Sequence, residues 1–287
     1  MKNISLVNGE FISEISVYDR GLNYGDGFFE TMKWSIDNKG QGKVEFWKRH
    51  VKRLKFGCQK ILISFSLKKL YDYKKKILKK ACESGRKSGI LKIIITRGSG
   101  GRGYRLVPKL EPSIILLVYP DVRIDENFYN EGVNLTYCKK RMSSNHFLGG
   151  TKNLNRLDSV LAASEFDENL FFEGIVCNNL GEIIEGTKTN IFFLKNNILH
   201  TPNINDVGIK GIIRDVIVEK KKINFFSEIV ECKIKKNDIE QAENIFITNL
   251  IYKILPVKSL NRKLFVINEK IKKLIVKFSK TDFLELG

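Results

Sequence analysis

The sequence predicts an α+β (mixed α/β) fold in two domains. Strand-like runs outnumber helical ones in both halves of the chain. The two strongest, ILKIIIT (residues 90–96) and SIILLVY (residues 113–119), are followed by Pro120 and Asp121, which open a polar connection. Strand and helix do not alternate regularly, as a βαβ array would require. The expected organisation is an N-terminal α/β domain over residues 1–119, a linker over 120–130, and a β-rich α/β domain over 131–287.

From the start, ISLVNGEFI carries an Asn8-Gly9 pair suited to a tight hairpin. FFETMKWSI and KVEFW read as strands with a glycine-containing turn between them. From Arg49 the pattern becomes helical through HVKRLKFGCQKIL. Over residues 67–81, Leu67, Leu70, Tyr71, Ile77, Leu78 and Ala81 recur at helical spacing, while Lys68, Lys69, Lys75, Lys76 and Lys79 take mostly the other face. Beyond the linker, GVNLTYCKK predicts a strand and a helix is expected to begin near Lys152. EGIVCNN and GEIIEG predict a strand pair turned at Asn179, Leu180 and Gly181, and NIFFL and ILHT a hairpin around Asn196 and Asn197. GIIRDVIVEK then predicts a helix, EIVECKI a strand, NDIEQA a short helix, NIFITNL a strand, and the tail a helix.

With 43% hydrophobic and 10% aromatic residues, the 287-residue chain can fill real cores. Its formal charge of +18 is spread along solvated helix faces, which points to small anionic substrates rather than nucleic acid. No run approaches eighteen apolar residues, and Glu10 and Glu14 fall where a signal peptide would be apolar, so a cytoplasmic protein without membrane contact is expected. Five cysteines, odd in number and without a CxxC pair, suggest reduced thiols and no metal site.

The segment NHFLGGTKNLNRLD sets Lys152 behind two glycines. A lysine in a partly dry pocket can act as a base or condense with an aldehyde; a surface lysine at a helix start is the plainer alternative. GSGGRG (residues 98–103) satisfies G-x-G-x-x-G, but YRLVPKLEP follows it instead of an amphipathic helix, so it cannot seat a pyrophosphate. It is either a strand connection or a substrate loop in which Arg102 grips a carboxylate. KGIIRDV places a glycine before a helix, leaving the amides of Ile212 and Ile213 at the positive end of its dipole, a potential phosphate seat although most helix starts meet only water. Glu185 stands at a strand end before a glycine, where a solvated carboxylate is the usual reading.

Seven segments occur in an order that resembles the fold-type IV pyridoxal-phosphate enzymes: DRGLNYGDGFFET, RHVKRL, TRGSGGRGY, TKNLNRLDSVLAASE, EGTKTNIFF, GIIRDV and TNLIYKILPV. They cover nearly the whole chain. The family comprises branched-chain and D-amino-acid aminotransferases and aminodeoxychorismate lyase, and RGSGGRGY with K-x-L-N-R-L is most similar to the lyase. The resemblance implies a D-amino-acid-aminotransferase-like fold and the cofactor pyridoxal 5′-phosphate. It implies that Lys152 holds the cofactor, that Glu185 faces the pyridine nitrogen, and that Arg53 and the amides of Ile212 and Ile213 take the phosphate. Thr248 and Asn249 fall near the other phosphate contact, and Arg102 and Tyr104 would meet substrate. It further implies a homodimer with a loop borrowed from the partner, and conversion of 4-amino-4-deoxychorismate to 4-aminobenzoate and pyruvate in folate biosynthesis. The chain departs from the bacterial lyase pattern at Glu30, where threonine is usual, and FFET is nearer the aminotransferases. An aminotransferase for D- or branched-chain amino acids is therefore the second reading, and a non-catalytic basic binding protein the third.

Overall fold

The period-two pattern of GFFETMKWSI builds the longest strand of the N-terminal half. In this computed structural model, which describes residues 3–106, 108–220 and 226–279, the chain forms two compact units. Among the described residues, the first runs to Arg123 and includes Lys152–Asn155, and the second comprises Ile124–Thr151 and those from Arg156. The sequence places Lys152 in the second domain, whereas its short segment packs with the first unit.

In the first unit, β1 (Ile4–Val7), β2 (Gly27–Ile36), β3 (Gly42–Val44), β4 (Ser88–Thr96) and β5 (Ile114–Tyr119) make an antiparallel sheet of order β1-β5-β4-β2-β3. Along β2, Phe28, Glu30, Met32 and Trp34 are buried while Phe29, Thr31 and Lys33 are only partly covered, so one face carries the core. Helices α2 (Trp47–Lys60) and α3 (Leu67–Glu83) cover that face through Val51, Leu54, Leu70, Ile77, Leu78 and Ala81. Ser66 caps α3 by accepting from the Lys69 amide at 3.2 Å. Lys68, Lys69, Lys75, Lys76 and Lys79 of α3 are exposed, as the spacing predicts, while Lys74 sets its ammonium 4.5 Å from the centroid of the Trp47 ring. A short α1 (Arg20–Tyr24) was not expected from sequence; Asp19 caps it, accepting from Gly21 N at 2.7 Å. The Asn8-Gly9 turn closes only an isolated bridge between Val7 and Glu10, and β1 pairs along its length with β5.

The second unit is a sheet of nine strands among the described residues: β6 (Val133–Met142), β7 (Glu173–Asn178), β8 (Ile183–Gly186), β9 (Asn190–Lys195), β10 (Ile198–Pro202), β11 (Glu228–Cys232), β12 (Asn244–Asn249), β13 (Lys253–Leu260) and β14 (Lys263–Leu264). Their order is β11-β10-β9-β12-β13-β6-β7-β8, with β14 beside β13. The β9–β10 hairpin turns at Asn196 and Asn197, both at positive φ (50° and 62°), as those residues predict. Strand β13, which overlaps the TNLIYKILPV segment, pairs antiparallel with β12 and parallel with β6. Helix α5 (Leu157–Ala163) packs on β6 and β7 and α6 (Ile212–Glu219) against β12 and β11, while α4 (Asn127–Asn130), α7 (Lys236–Glu240) and α8 (Glu269–Ser279) complete this unit. Leu135, Ile175, Ile183, Ile191, Ile247 and Leu255 belong to its main core. No helix among the described residues is long and apolar enough to cross a membrane. The α+β architecture is the one expected.

Candidate active site

Lys152 is set by strand pairing rather than by a helix, which corrects the expectation that a helix begins there. Strand β3 pairs with β2 only at Trp34–Ile36, leaving the Gly27–Phe29 edge open. The chain at Lys152–Asn155 fills it: Phe29 N donates to Lys152 O at 3.0 Å, Leu154 N donates to Gly27 O at 3.0 Å, and Asn153 bridges Phe28. With those backbone groups engaged, the helix cannot start until Leu157. The Lys152 ammonium lies 4.4 Å from the centroid of the Phe29 ring. Of the two preceding glycines, Gly149 is required by space, since a Cβ there would stand 2.1 Å from the Asn205 carbonyl oxygen.

On the other face of β2, Glu30 is buried against α2. Arg53 meets it with two prongs, Nε to Oε1 at 2.7 Å and Nη2 to Oε2 at 2.6 Å, and His50 Nδ1 lies 2.6 Å from Oε2. His50 and Arg53 are three residues apart on α2, a spacing that places both on one helix face. Burial alone would raise the Glu30 pKa, but the charges and hydrogen bonds of Arg53 and His50 outweigh it and hold the group at about 2. Burial lowers the pKa of His50, as do the charges of Arg53 and Lys152, against the opposing pull of Glu30. His50 Nδ1 and the Glu30 carboxylate share one hydrogen bond, which orients the ring. Its Nε2 is buried without a partner among the described residues.

Because the folded-state pKa of Glu30 is depressed below 4.5, its ionised form adds stability above that pH, and the contribution is lost as pH falls towards about 2. Glu30→Gln should cost roughly 3 kcal/mol at pH 7 and progressively less in acid, since breaking a buried pair strands the partner charge. Urea unfolding at pH 7 and at pH values between 5 and 2 measures this. Parallel pH profiles for variant and wild type would contradict it.

In the second unit, Glu185 lies in β8, next to its last residue, and is buried. Its Oε2 accepts from Asn190 Nδ2 at 3.2 Å and from Ile209 N at 2.9 Å. Asn190 also donates to Ile209 O at 2.8 Å and accepts from Gly211 N at 3.1 Å. One amide side chain thus ties the carboxylate to the start of α6. Gly211 is the N-cap of α6 and supplies no side-chain cap, so the first-turn amides of Ile212 and Ile213 remain available as donors. A Cβ on Gly211 would stand 2.1 Å from Asn190 Oδ1. Arg214 anchors the helix from below, donating to Pro202 O at 2.9 Å and to Glu231. Thr248 pairs with Asn190 across β9 and β12, and its hydroxyl is buried without a partner among the described residues. Asn249 is otherwise occupied: its Oδ1 accepts from Ile251 N at 2.9 Å and Tyr252 N at 2.8 Å, closing the turn into β13. Burial lowers the pKa of Arg156, while the charges of Glu185 and Asp158 oppose that.

The segment following β4 is an exposed loop with no helix behind it, as its prolines predict. Arg102 is exposed, and Tyr104 is 87% exposed. The loop is tethered where Arg20 Nη1 donates to Gly103 O at 3.0 Å, and Tyr104 packs edge-on against Tyr24 with centroids 5.7 Å apart. Arg20 is itself held by Asp26 at 3.0 Å.

The structure thus brings Lys152, Arg53, Glu30 and His50 into the first unit and Glu185, Ile212, Ile213, Thr248 and Asn190 into the second. His50 and Asn190 were missed from sequence. The helical spacing from Arg53 could have indicated His50, but Asn190 owes its place to Gly211, twenty-one residues away. A phosphorylated pyridine aldehyde needs an amine, an anion for its ring nitrogen and donors for its phosphate. The buried, unpartnered Thr248 hydroxyl beside the uncapped start of α6 meets the last need on one unit, and Glu185 the second.

The family described as amino-transferase class IV matches residues 27–260. An aminodeoxychorismate lyase of Vibrio harveyi is 28% identical over 256 residues, covering 89% of this chain and 90% of that one. A chain of Methanocaldococcus jannaschii, provisionally named a branched-chain-amino-acid aminotransferase, is 30% identical over 271 residues, covering 92% and 89%. The crystal structure of 4-amino-4-deoxychorismate lyase from Pseudomonas aeruginosa aligns with a TM-score of 0.87 at 29% identity, covering 98% of this chain and all of that one. The cofactor of the class is pyridoxal 5′-phosphate, which the residues present fit. A lysine pinned to a strand edge, a buried carboxylate tied to a helix start and a match over residues 27–260 together make this chain a member of the class IV aminotransferase family.

Proposed function

We propose that the chain is an aminodeoxychorismate lyase that converts 4-amino-4-deoxychorismate to 4-aminobenzoate and pyruvate. The observation that carries this reading is the loop from Arg97 to Tyr104: it presents an exposed guanidinium, Arg102, on a backbone tethered at Gly103, suited to a substrate with more than one carboxylate. Similarity to lyases of two organisms supports it.

Bound pyridoxal phosphate supplies an aldehyde for the substrate amine and a ring that accepts charge from the amine-bearing carbon. Lys152 would hold the cofactor, and its amine, when free, would remove the proton from that carbon. The bond from the ring to the enolpyruvyl oxygen breaks and the ring becomes aromatic. The departing methylene takes a proton from Lys152, which balances the reaction as 4-aminobenzoate plus pyruvate. Glu185 keeps the pyridine nitrogen protonated, since a carboxylate partner favours the charged form. Arg53, the amides of Ile212 and Ile213, and the Thr248 hydroxyl take the phosphate. Thr248 is preferred over the sequence assignment of Asn249 because the latter's carbonyl already serves the turn. Val17, Tyr18, Leu22 and Tyr104, all exposed on the first unit, are apolar area that a second copy would cover in the homodimer the resemblance implies.

The test is incubation of the holoenzyme with 4-amino-4-deoxychorismate, following 4-aminobenzoate by fluorescence and pyruvate by a coupled reductase. Equal release of the two products is expected. The aminotransferase reading is favoured by Glu30, whose hold on Arg53 belongs to the FFET pattern. Keto acid formed from D-alanine or a branched-chain amino acid, with no 4-aminobenzoate from aminodeoxychorismate, would decide for it. Arg102→Lys keeps the charge but loses the planar fork, and should raise KM for aminodeoxychorismate roughly tenfold while the bound cofactor's spectrum stays unchanged. An unaltered KM would make the loop a plain strand connection.

A further inference from the structure

The face of the first sheet opposite α2 carries a second lysine that the assignments above leave without a task. Lys92 on β4 pairs with Thr31 of β2, so it lies on the same face as Phe29, one ladder step from it. Its ammonium is 5.2 Å from the centroid of the Phe29 ring, and that of Lys152 is 4.4 Å from the same centroid. The two nitrogens are therefore no further apart than the sum of those distances. Lys92 is half-buried, and no carboxylate among the described residues pairs with it. Lys33, on the same strand face as Phe29, shows the contrast: Asp121 stands 3.5 Å from its nitrogen. Burial lowers the pKa of Lys92, and a ring face compensates an ammonium less fully than a carboxylate would. The assignments above give this ammonium no anion.

We propose that Lys92 binds the ring carboxylate of the substrate. The inference rests on the lyase reading and adds to it the residue that recognises the ring's acidic end. In 4-amino-4-deoxychorismate the amine and this carboxylate lie across a six-membered ring from each other. With the amine delivered where Lys152 acts, the carboxylate reaches one ring length away, and Lys92 shares a single phenyl ring with Lys152. The enolpyruvyl carboxylate is left for Arg102. An amino-acid substrate carries its amine and carboxylate on one carbon, and an alanine or branched-chain side chain offers Lys92 nothing anionic.

The experiment compares holoenzymes of the wild type, Lys92→Met and Lys92→Arg. Methionine keeps an unbranched stem without the charge; arginine keeps the charge. Two probes are titrated, 4-aminobenzoate and aniline, which differ only in the carboxylate, and the change in the bound cofactor's absorption is read. Wild type should prefer 4-aminobenzoate, Lys92→Met should lose roughly tenfold of that preference, and Lys92→Arg should keep most of it. KM for aminodeoxychorismate should rise by a similar factor in Lys92→Met, with kcat changed less. An intact cofactor spectrum shows that the variant is folded; Lys92→Gln replaces the Met variant if it is not. An equal preference in wild type and Lys92→Met, or no preference in wild type, overturns the inference. Absence of 4-aminobenzoate formation by wild type defeats the lyase reading instead, and the probe preference still reports on Lys92 by itself.

Discussion

Lys152→Ala should reduce 4-aminobenzoate release by at least about 10²–10⁴-fold, the range for loss of a positioned proton carrier. The true loss should exceed that range, because the covalent hold on the cofactor disappears as well. The fold should survive, since the Lys152 carbonyl and the Leu154 amide, not the side chain, join this segment to β2. Borohydride reduction followed by peptide mass analysis should place the cofactor on the peptide containing Lys152 in wild type and on no peptide in the variant. Turnover at the wild-type rate, with the label on another lysine, would refute the assignment.

Glu185→Gln should slow proton removal by roughly 10²–10³-fold while the cofactor remains bound, because a neutral amide cannot hold the pyridine nitrogen protonated. Glutamine keeps an oxygen that can accept from Ile209 N and Asn190 Nδ2, so the link to the start of α6 is retained. Glu185→Asp should recover part of the rate by restoring the charge on a shorter arm. Single-turnover kinetics with saturating cofactor distinguishes slower chemistry from weaker binding. A glutamine variant with unaltered turnover would mean that the carboxylate serves only to tie Asn190 and the Ile209 amide together.

Glu30 illustrates how a departure in sequence acquires a physical meaning in the fold. As a letter it marks a difference from the lyases; as a side chain it is a buried anion held by Arg53 and His50. Its pairing uses two nitrogens of the guanidinium that the resemblance gives to the phosphate. The same fork cannot present all its donors to both anions, so Arg53 serves here partly as a structural cation. The pH dependence expected for Glu30→Gln measures that part directly.

Local patterns were enough to determine the elements whose cause is local. Helical spacing marked α3, period-two alternation marked β2, and Asn196 with Asn197 marked the β9–β10 turn, because side-chain periodicity and positive φ depend on neighbours in the chain. The ordered motifs also determined the family and with it the cofactor. Only the tertiary structure decided the rest. It moved the start of α5 from Lys152 to Leu157, because an unpaired stretch of β2 captured the backbone of Lys152–Asn155 first. It joined Glu185 to Gly211 through Asn190, and set Lys92 and Lys152 on one aromatic ring sixty residues apart in sequence. Those contacts arise from sheet register and from burial, which are set by strands meeting across long separations, and no window of the sequence short enough to show a period contains both partners.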